Sequence, residues 1–186
     1  MDATVACDAS AVESAMLADG RAVLLRPVTP ASKPLIAAAL LRLTPESSRR
    51  RFFTPRFRLS GPELDRLTDL DGVDRFAIGA TALHPDGSLE GVGVARYARE
   101  GGEPRAAEAA VVVVDAYQGL GLGKLLLRRL AAAALRRGID RLRGMVLRDN
   151  DPMLGLLARH APGLVLARSG DHLQVEVRLD ALALAD

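Results

Sequence analysis

The chain has 186 residues and a hydrophobic content of 49%, which suits one domain with a continuous core and leaves little room for two. Its formal net charge is only +2 and it contains no Trp, so it lacks both the strong positive charge and the aromatic surface typical of nucleic-acid-binding proteins. The single cysteine, Cys7, cannot form an internal disulfide, and no run of about 18 apolar residues would span a membrane. The acidic first residues do not resemble a signal peptide. We therefore expect a cytoplasmic protein that binds neither nucleic acid nor a membrane.

The chain divides into a leader, one domain and a short tail. Residues 1–20 are rich in alanine with scattered acids, and they predict a flexible leader in which the sequence AVESAMLA forms a short helix. Residues 21–180 are expected to form a single domain, and residues 181–186 a tail. No repeat and no long linker interrupts the domain.

Strand and helix signals alternate in the first part of the domain. Residues 21–26 form an apolar run closed by a proline, which predicts a strand. Apolar spacing over residues 35–43 predicts a helix. The sequence TPESS from Thr44 is a typical start of a second helix, which would carry three consecutive arginines, Arg49 to Arg51. A short helix over residues 63–67 follows the signal SGPE.

From residue 74 the periodicity changes to that of strands. Residues 75–84 and 91–98 are two strand-like runs joined by the turn-rich sequence HPDGS, and residues 106–114 form a third, so an antiparallel meander is predicted. A long helix over residues 120–137 follows, with an apolar stripe along one face and Gly138 as its C-terminal cap.

A crossover and a last pair of strands complete the predicted fold. The strand at residues 142–147 should lie parallel to residues 111–114, because the long helix between them returns the chain by a right-handed crossover. Asn150 begins another helix, and residues 164–167 and 172–179 form the final strands. The predicted class is α+β, with a mixed central sheet, an antiparallel meander, one parallel βαβ crossover and helices on both faces.

The most informative stretch joins an apolar strand to the long helix. It has the sequence AVVVVDAYQGLGLGK, with alternate glycines at Gly119, Gly121 and Gly123. Such a turn presents several backbone N–H groups together at the positive end of the helix dipole, which is typical of a phosphate-binding site. An ordinary glycine-rich turn is the alternative interpretation.

Spacing separates three kinds of phosphate-binding loop. A Walker A loop requires Ser or Thr after Gly-Lys to bind magnesium, but Leu125 follows Lys124. A dinucleotide-binding fingerprint requires G-x-G-x-x-G, whereas these glycines alternate and follow antiparallel strands. The remaining pattern, Gln118-x-x-Gly121-x-Gly123, resembles the acyl-CoA pyrophosphate loop of the GNAT superfamily of N-acyltransferases.

The resemblance to this superfamily extends from about residue 22 to residue 179. The segments LLRPVTPASKPLI, LRLTPESSRRRFF, AEAAVVVVDAYQGLGLGKLLL and RGIDRLRGMVLRDNDPMLGL are similar to those of bacterial protein lysine acetyltransferases. The resemblance implies transfer of an acetyl group from acetyl-CoA, without a metal, to an amine that is expected to be a protein lysine. A polyamine or aminoglycoside acceptor and a non-catalytic CoA-binding module are the alternatives. The protein is expected to be a monomer or a homodimer.

The resemblance also implies a set of site residues. Glu108 matches the general base of the lysine acetyltransferases, and its place among alanines and valines favours desolvation that would suit base catalysis near neutral pH. A strand-end glutamate facing water is the alternative. Asn150 matches a residue that binds the pantetheine arm, although an N-cap explains it equally well. The expected cofactor-binding residues are Val111, Val112, Val113, Gln118, Gly119, Leu120, Gly121, Leu122, Gly123, Lys124 and Asn150.

Some residues depart from the family pattern or are set aside. In many GNAT enzymes a Tyr protonates the departing thiolate, and Leu157 occupies that position here. Tyr97 and Tyr117 are expected in packing or loop roles. The three histidines are far apart, so no metal site is expected. The cluster Arg49 to Arg51 either caps its helix, which we favour, or recruits an acidic protein surface.

Overall fold

The computed structural model describes residues 12–55, 57–161 and 163–179. The strands in these ranges are β1 (Glu13–Met16), β2 (Ala22–Pro27), β3 (Arg75–Leu83), β4 (Leu89–Glu100), β5 (Glu103–Val113), β6 (Arg141–Leu147), β7 (Leu164–Ser169) and β8 (His172–Arg178). The α-helices are α1 (Lys33–Leu41), α2 (Pro45–Phe52), α3 (Gly61–Thr68), α4 (Leu122–Arg136) and α5 (Asp151–His160). None of the helices in the described ranges is long and apolar enough to cross a membrane.

The strands form one sheet in the order β1-β2-β3-β4-β5-β6-β8-β7. Neighbouring strands are antiparallel except for β5 and β6, which are parallel and are connected through α4. The predicted α+β class, with an antiparallel meander followed by a single parallel crossover, is therefore confirmed.

Helices cover both faces of the sheet, and β5 supplies side chains to each. On one face α4 buries Leu122, Leu126 and Leu130 completely against β3, β4 and β5. Val111 and Val113 pack towards this helix. On the opposite face Val112 lines a cavity beneath α1, because successive side chains of a strand point to opposite sides.

The sequence signals at the helix ends are present in the structure. The Thr44 hydroxyl accepts a hydrogen bond from the Ser47 N–H at the start of α2, and the Glu63 carboxylate caps the Ser60 N–H at the start of α3. Helix α4 ends at Arg136, and the positive φ of 76° at Gly138 allows the chain to turn away from the helix. These local signals explain why the helices lie close to their predicted positions.

The segment before the domain differs from its prediction. Residues 13–16 form β1, which pairs with β2 from Glu13↔Leu25 to Met16↔Ala22, so the predicted helix over AVESAMLA is wrong. Alanine and methionine favour a helix in isolation, but pairing with the edge of a sheet overrides local propensity. Leu17 is buried in the core, which fixes the end of this segment. Cys7 lies outside the described residues.

The parallel pairing also differs from its prediction. β5 and β6 are paired only from Ala106↔Arg141 to Glu108↔Arg143, and not along residues 111–114. At Gly144 the strands are still so close that an added Cβ would lie 3.1 Å from the Ala109 carbonyl oxygen. β6 continues alongside β8 as far as Leu147, but β5 has already separated from it. The predicted parallel direction of β5 and β6 was correct, but their predicted register was wrong, because register depends on contacts remote in sequence.

Candidate active site

The separation of β5 from β6 leaves one edge of β5 open. Residues 109–113 remain paired with β4, from Tyr97↔Ala109 to Gly93↔Val113. Because the backbone groups of a strand point alternately to its two sides, part of the N–H and C=O groups of this stretch faces the gap. An extended amide-containing chain could add to such an edge by main-chain hydrogen bonds.

The glycine turn lies beyond the end of this open edge. Gly119 and Gly121 have φ values of 73° and 88°, which residues other than glycine rarely adopt. The first helical hydrogen bond of α4 runs from the Leu125 N–H to the Gly121 carbonyl. The N–H groups just before Leu125 therefore have no partner within the helix and are directed towards its N-terminal end, as an anion-binding turn requires.

Gln118 holds the turn rather than contributing its own N–H to it. Its backbone N–H donates to the Asp115 carbonyl at 3.1 Å, so the open donors begin at Gly119. Its side-chain amide donates to the Val113 carbonyl and to the Ser47 hydroxyl, each at 3.0 Å. The Val113 carbonyl is thus already bonded within the protein, and the open edge of β5 ends before it.

Asp115 joins the turn to α2, a connection that the sequence analysis missed. Its carboxylate accepts hydrogen bonds from the Thr44 N–H at 3.1 Å and from the Thr44 and Ser47 hydroxyls at 2.7 Å each. Burial alone would raise the pKa of Asp115, but these hydrogen bonds outweigh it and lower the pKa. The capping sequence at Thr44 was recognisable, but its partner more than 70 positions away was not.

The remaining turn residues contribute in different ways. Leu122 is completely buried, so only its backbone can face a ligand. The Leu120 carbonyl accepts a hydrogen bond from the Ala18 N–H at 3.2 Å, which ties the turn to the N-terminal segment. Gly123 is in the first turn of α4, where an added Cβ would lie 3.6 Å from Leu156.

Several positively charged side chains lie near the N-terminal end of α4. The pKa of His160 is lowered by burial and then by the nearby charges of Lys124, Arg159 and Arg128. These three cations create a positive local potential, which adds to the helix dipole. The sequence did not predict that α5 would bring its own basic residues to this end.

Glu108 stands at the point where β5 and β6 stop pairing, opposite Arg143 of β6. Its side chain is exposed, so the predicted desolvation is wrong. It lines a cavity together with three alanines and with Arg51 of α2 and Arg96 of β4. The sequence indicated a helix cap, or else an acidic protein surface, as the partner of the arginine cluster that includes Arg51, and it gave no signal for Arg96, because only the folded chain brings them to Glu108.

Asn150 and the tyrosines have defined structural roles. The Asn150 side-chain oxygen accepts from the Met153 N–H at 3.3 Å, as an N-cap does. The buried Tyr97 donates to the Val73 carbonyl, and Tyr117 bonds to the Glu90 carboxylate, so both have packing or loop roles as expected. Leu157 is half-buried in α5 and provides no proton. In the described part of the chain no group of His, Cys, Asp or Glu side chains could hold a metal ion.

The comparisons with known proteins agree with this geometry. A family model described as acetyltransferase (GNAT) family matches residues 48–161. The Pseudomonas aeruginosa protein Acetyltransferase PA5475 is 35% identical over 154 residues, which cover 78% of this chain and 81% of the relative. The crystal structure of the GNAT domain of S. lividans PAT superimposes with a TM-score of 0.79 and 32% identity, covering 90% of this chain and 97% of that one.

A longer relative is Acetyltransferase Pat of Mycolicibacterium smegmatis, which is 33% identical over 136 residues. The match covers 73% of this chain but only 39% of that protein. The open strand edge, the glycine turn and these matches define the class of protein, an acyltransferase built on the N-acetyltransferase fold. The chain belongs to the GNAT family of acetyltransferases.

Proposed function

We propose that this protein transfers the acetyl group of acetyl-CoA directly to the ε-amine of a protein lysine. One observation carries the proposal: β5 combines an exposed carboxylate at Glu108 with an open backbone edge that leads to the glycine turn. The lysine acceptor is supported by the sequence resemblance to bacterial protein lysine acetyltransferases and by the match to the S. lividans PAT domain.

The chain offers a separate partner for each part of the cosubstrate. The pyrophosphate of CoA suits the N–H groups from Gly119 to Lys124, where glycines permit close approach and the local potential is positive. The amide-containing pantetheine arm suits the edge of β5 around Val111 and Val112. Within the described residues no hydrogen bond reaches the Asn150 side-chain nitrogen, so that group is open to the same arm.

The reaction requires a neutral amine at the thioester. A lysine has a reference pKa of about 10.4, so a base must take its proton, and we assign this role to Glu108, directly or through one water. The amine nitrogen attacks the carbonyl carbon, the new C–N bond forms, and the C–S bond then breaks to release CoA thiolate. A backbone N–H near Val111 would stabilise the negative charge on the carbonyl oxygen.

The leaving thiolate does not depend on a protein acid. Leu157 stands where many family members have a Tyr, and the hydroxyls of Tyr97 and Tyr117 are bonded elsewhere. A thiol has a reference pKa of about 8.5, so its thiolate leaves readily and can take a proton from water. We therefore assign the proton-transfer role of the protein to Glu108 alone.

Release of free thiol tests the proposal. The protein is incubated with acetyl-CoA and separately with a lysine-containing peptide, a polyamine and an aminoglycoside, and the thiol is followed over time. The proposal predicts rapid release with the peptide and a matching mass increase on the peptide. Release with only a small amine would replace the lysine acceptor. CoA binding without turnover of any amine would favour the non-catalytic module.

A further inference from the structure

The cavity beside Glu108 contains two arginines that the reaction described above does not use. Arg96 of β4 pairs with Ala110, and Glu108 pairs with Ala98, so Arg96 and Glu108 are diagonal neighbours on the same face of adjacent strands. Arg51 reaches this cavity from the last turn of α2. The floor consists of alanines, which leave room for another molecule.

These two guanidinium groups have no acceptor of their own. Among the described residues, no hydrogen bond and no ion pair reaches the side chain of Arg51 or Arg96, and the Arg51 guanidinium only stacks on the Phe52 ring at 4.7 Å. Both side chains are half-buried. A guanidinium presents five N–H donors in a planar fork, so this pair offers an unusually large number of open donors.

The arginines next to this pair, in contrast, have acidic partners. Arg49 and Arg50, on the same helix as Arg51, both bind the Glu46 carboxylate. In the sheet, Arg75 and Arg143 flank the row of Ala98 and Glu108, and each has a carboxylate of its own. Arg75 is 3.2 Å from Asp71, and Arg143 is 2.7 Å from Glu176. Of these six described arginines around the cavity, the two that line it are the ones that lack such a carboxylate.

The charges in the cavity do not balance. Burial, and then the charge of Arg96, lower the pKa of Arg51 to about 10, and the charge of Glu108 acts in the opposite direction. Burial likewise lowers the pKa of Arg96, again opposed by Glu108. One exposed carboxylate therefore faces two half-buried cations, and a second anion in the cavity would be stabilised.

We propose that Arg51 and Arg96 bind a carboxylate of the acceptor, so that the enzyme selects lysines with an acidic residue nearby in their chain. This inference rests on the proposed lysine acceptor. A lysine ammonium alone is repelled by two guanidinium groups, whereas a neighbouring carboxylate offsets that repulsion and can bind the planar fork through two hydrogen bonds. The carboxylate thus places the lysine chain beside Glu108.

A peptide series tests the selection. A glutamate is moved one residue at a time away from the lysine, and each peptide is compared with its Gln counterpart by thiol release under acetyl-CoA saturation. For the best position we expect kcat/KM to be roughly tenfold higher with Glu than with Gln, since hydrogen bonds between charged groups exceed neutral ones. Most of the difference should be in KM, because the peptide carboxylate takes no part in the bonds that form and break.

Variants test whether the preference for an acidic peptide arises from the cavity. Arg96→Gln and Arg51→Gln should each reduce the ratio between the Glu and Gln peptides towards unity. Arg50→Gln is the matched control: it removes the same charge from α2, but Arg50 is paired with Glu46 and does not line the cavity. The control should keep the ratio of the original protein.

The possible failures are distinct. Equal kcat/KM for every Glu and Gln pair would overturn the acidic preference while leaving lysine acetylation intact. An equal loss of activity with both peptides in Arg96→Gln would also overturn it, because the cation would then act on the amine rather than on a carboxylate. Failure to acetylate any lysine peptide, with turnover of a small amine, would overturn the lysine acceptor itself.

Discussion

At the scale of single residues, the position of Glu108 supports its proposed role. It lies at the last paired position of β5 and β6, where one side of β5 opens, and its side chain is exposed to solvent. A base in such a place can exchange protons with water after each turnover. Ala107, Ala109, Val111 and Val113 do not cover the Glu108 side chain, because they pack in or against the core.

Glu108→Gln should abolish most of the activity without affecting the binding of CoA. Removing a general base typically reduces the rate by about 10²–10⁴-fold, while none of the proposed CoA contacts involves this side chain. Steady-state kinetics and calorimetric titration with CoA measure the two effects. Glu63→Gln is the control, because Gln can replace Glu in the cap of α3. Full activity in Glu108→Gln across the pH range would refute the base assignment.

Gly123→Ala should separate binding from folding. Its added Cβ would make only an ordinary contact with Leu156 at 3.6 Å, and alanine favours a helix more than glycine does, so Tm should stay the same or rise. The Cβ would nevertheless stand where the pyrophosphate approaches α4, and we expect Kd for CoA to increase at least about tenfold. In the control Gly61→Ala, at the start of α3, Kd should not change. An unchanged Kd in Gly123→Ala would mean that the anion binds elsewhere.

At the scale of elements, α4 and α5 jointly build the positive end of the site. Lys124 and Arg128 come from the first turns of α4, and Arg159 and His160 from the last turn of α5. Neither helix alone would concentrate charge in this way. The electric field of these basic side chains adds to the dipole of α4 and should steer the anionic cosubstrate towards the glycine turn.

His160 should report the arrival of the cosubstrate. Its pKa is lowered in the free protein by burial and by the surrounding cations, and bound phosphates would counter those charges, so the pKa should rise when CoA binds. By linkage, CoA should bind more tightly as pH falls through the higher pKa of the complex, and the gain should be complete below the pKa of the free protein. NMR titration measures this, and the resonances of His84, in the hairpin, should not respond to CoA. A fall in the His160 pKa would contradict the proposed position of the phosphates.

Elements were predictable from the sequence to the extent that their signals are local. Thr44, Ser60 and Gly138 mark helix ends through their own side chains or backbone, and the structure has those ends. The register of β6 and the strand at Glu13–Met16 were not predictable, because both depend on partners far along the chain. The site has the same division: the glycine turn is continuous in sequence, whereas Arg51, Arg96 and Glu108 come from three separate elements.

At the scale of the whole molecule, the N-terminal segment holds the glycine turn in place. Arg21 donates to the Ala116 carbonyl at 2.8 Å and stacks on the Tyr117 ring at 4.0 Å. Glu13 of β1 bonds to Arg129 of α4, and the Ala18 N–H bonds to the Leu120 carbonyl. The sheet therefore contacts both sides of the turn through a segment that the sequence predicted to be flexible.

Leu17→Ala should test this coupling. Leu17 is 5% exposed and belongs to the main core cluster, so its truncation should reduce the free energy of unfolding by about 2–5 kcal/mol. Because Ala18 bonds to the turn, CoA affinity should fall as well. Met16→Ala is the matched control, since Met16 is 69% exposed in the same segment and should change neither quantity. Thermal unfolding with and without CoA measures both, and a loss of stability with unchanged CoA affinity would show that the segment does not support the turn.

Quantitative mass spectrometry of lysine acetylation tests the central claim most directly. Proteomes of cells that produce the protein or its Glu108→Gln variant at equal abundance are compared with those of cells that lack it. The account predicts a defined set of lysines that gain acetyl groups with the active protein and not with the variant. An unchanged lysine acetylation profile, from a protein that releases thiol from acetyl-CoA with a small amine, would contradict the claim that the acceptor is a protein lysine.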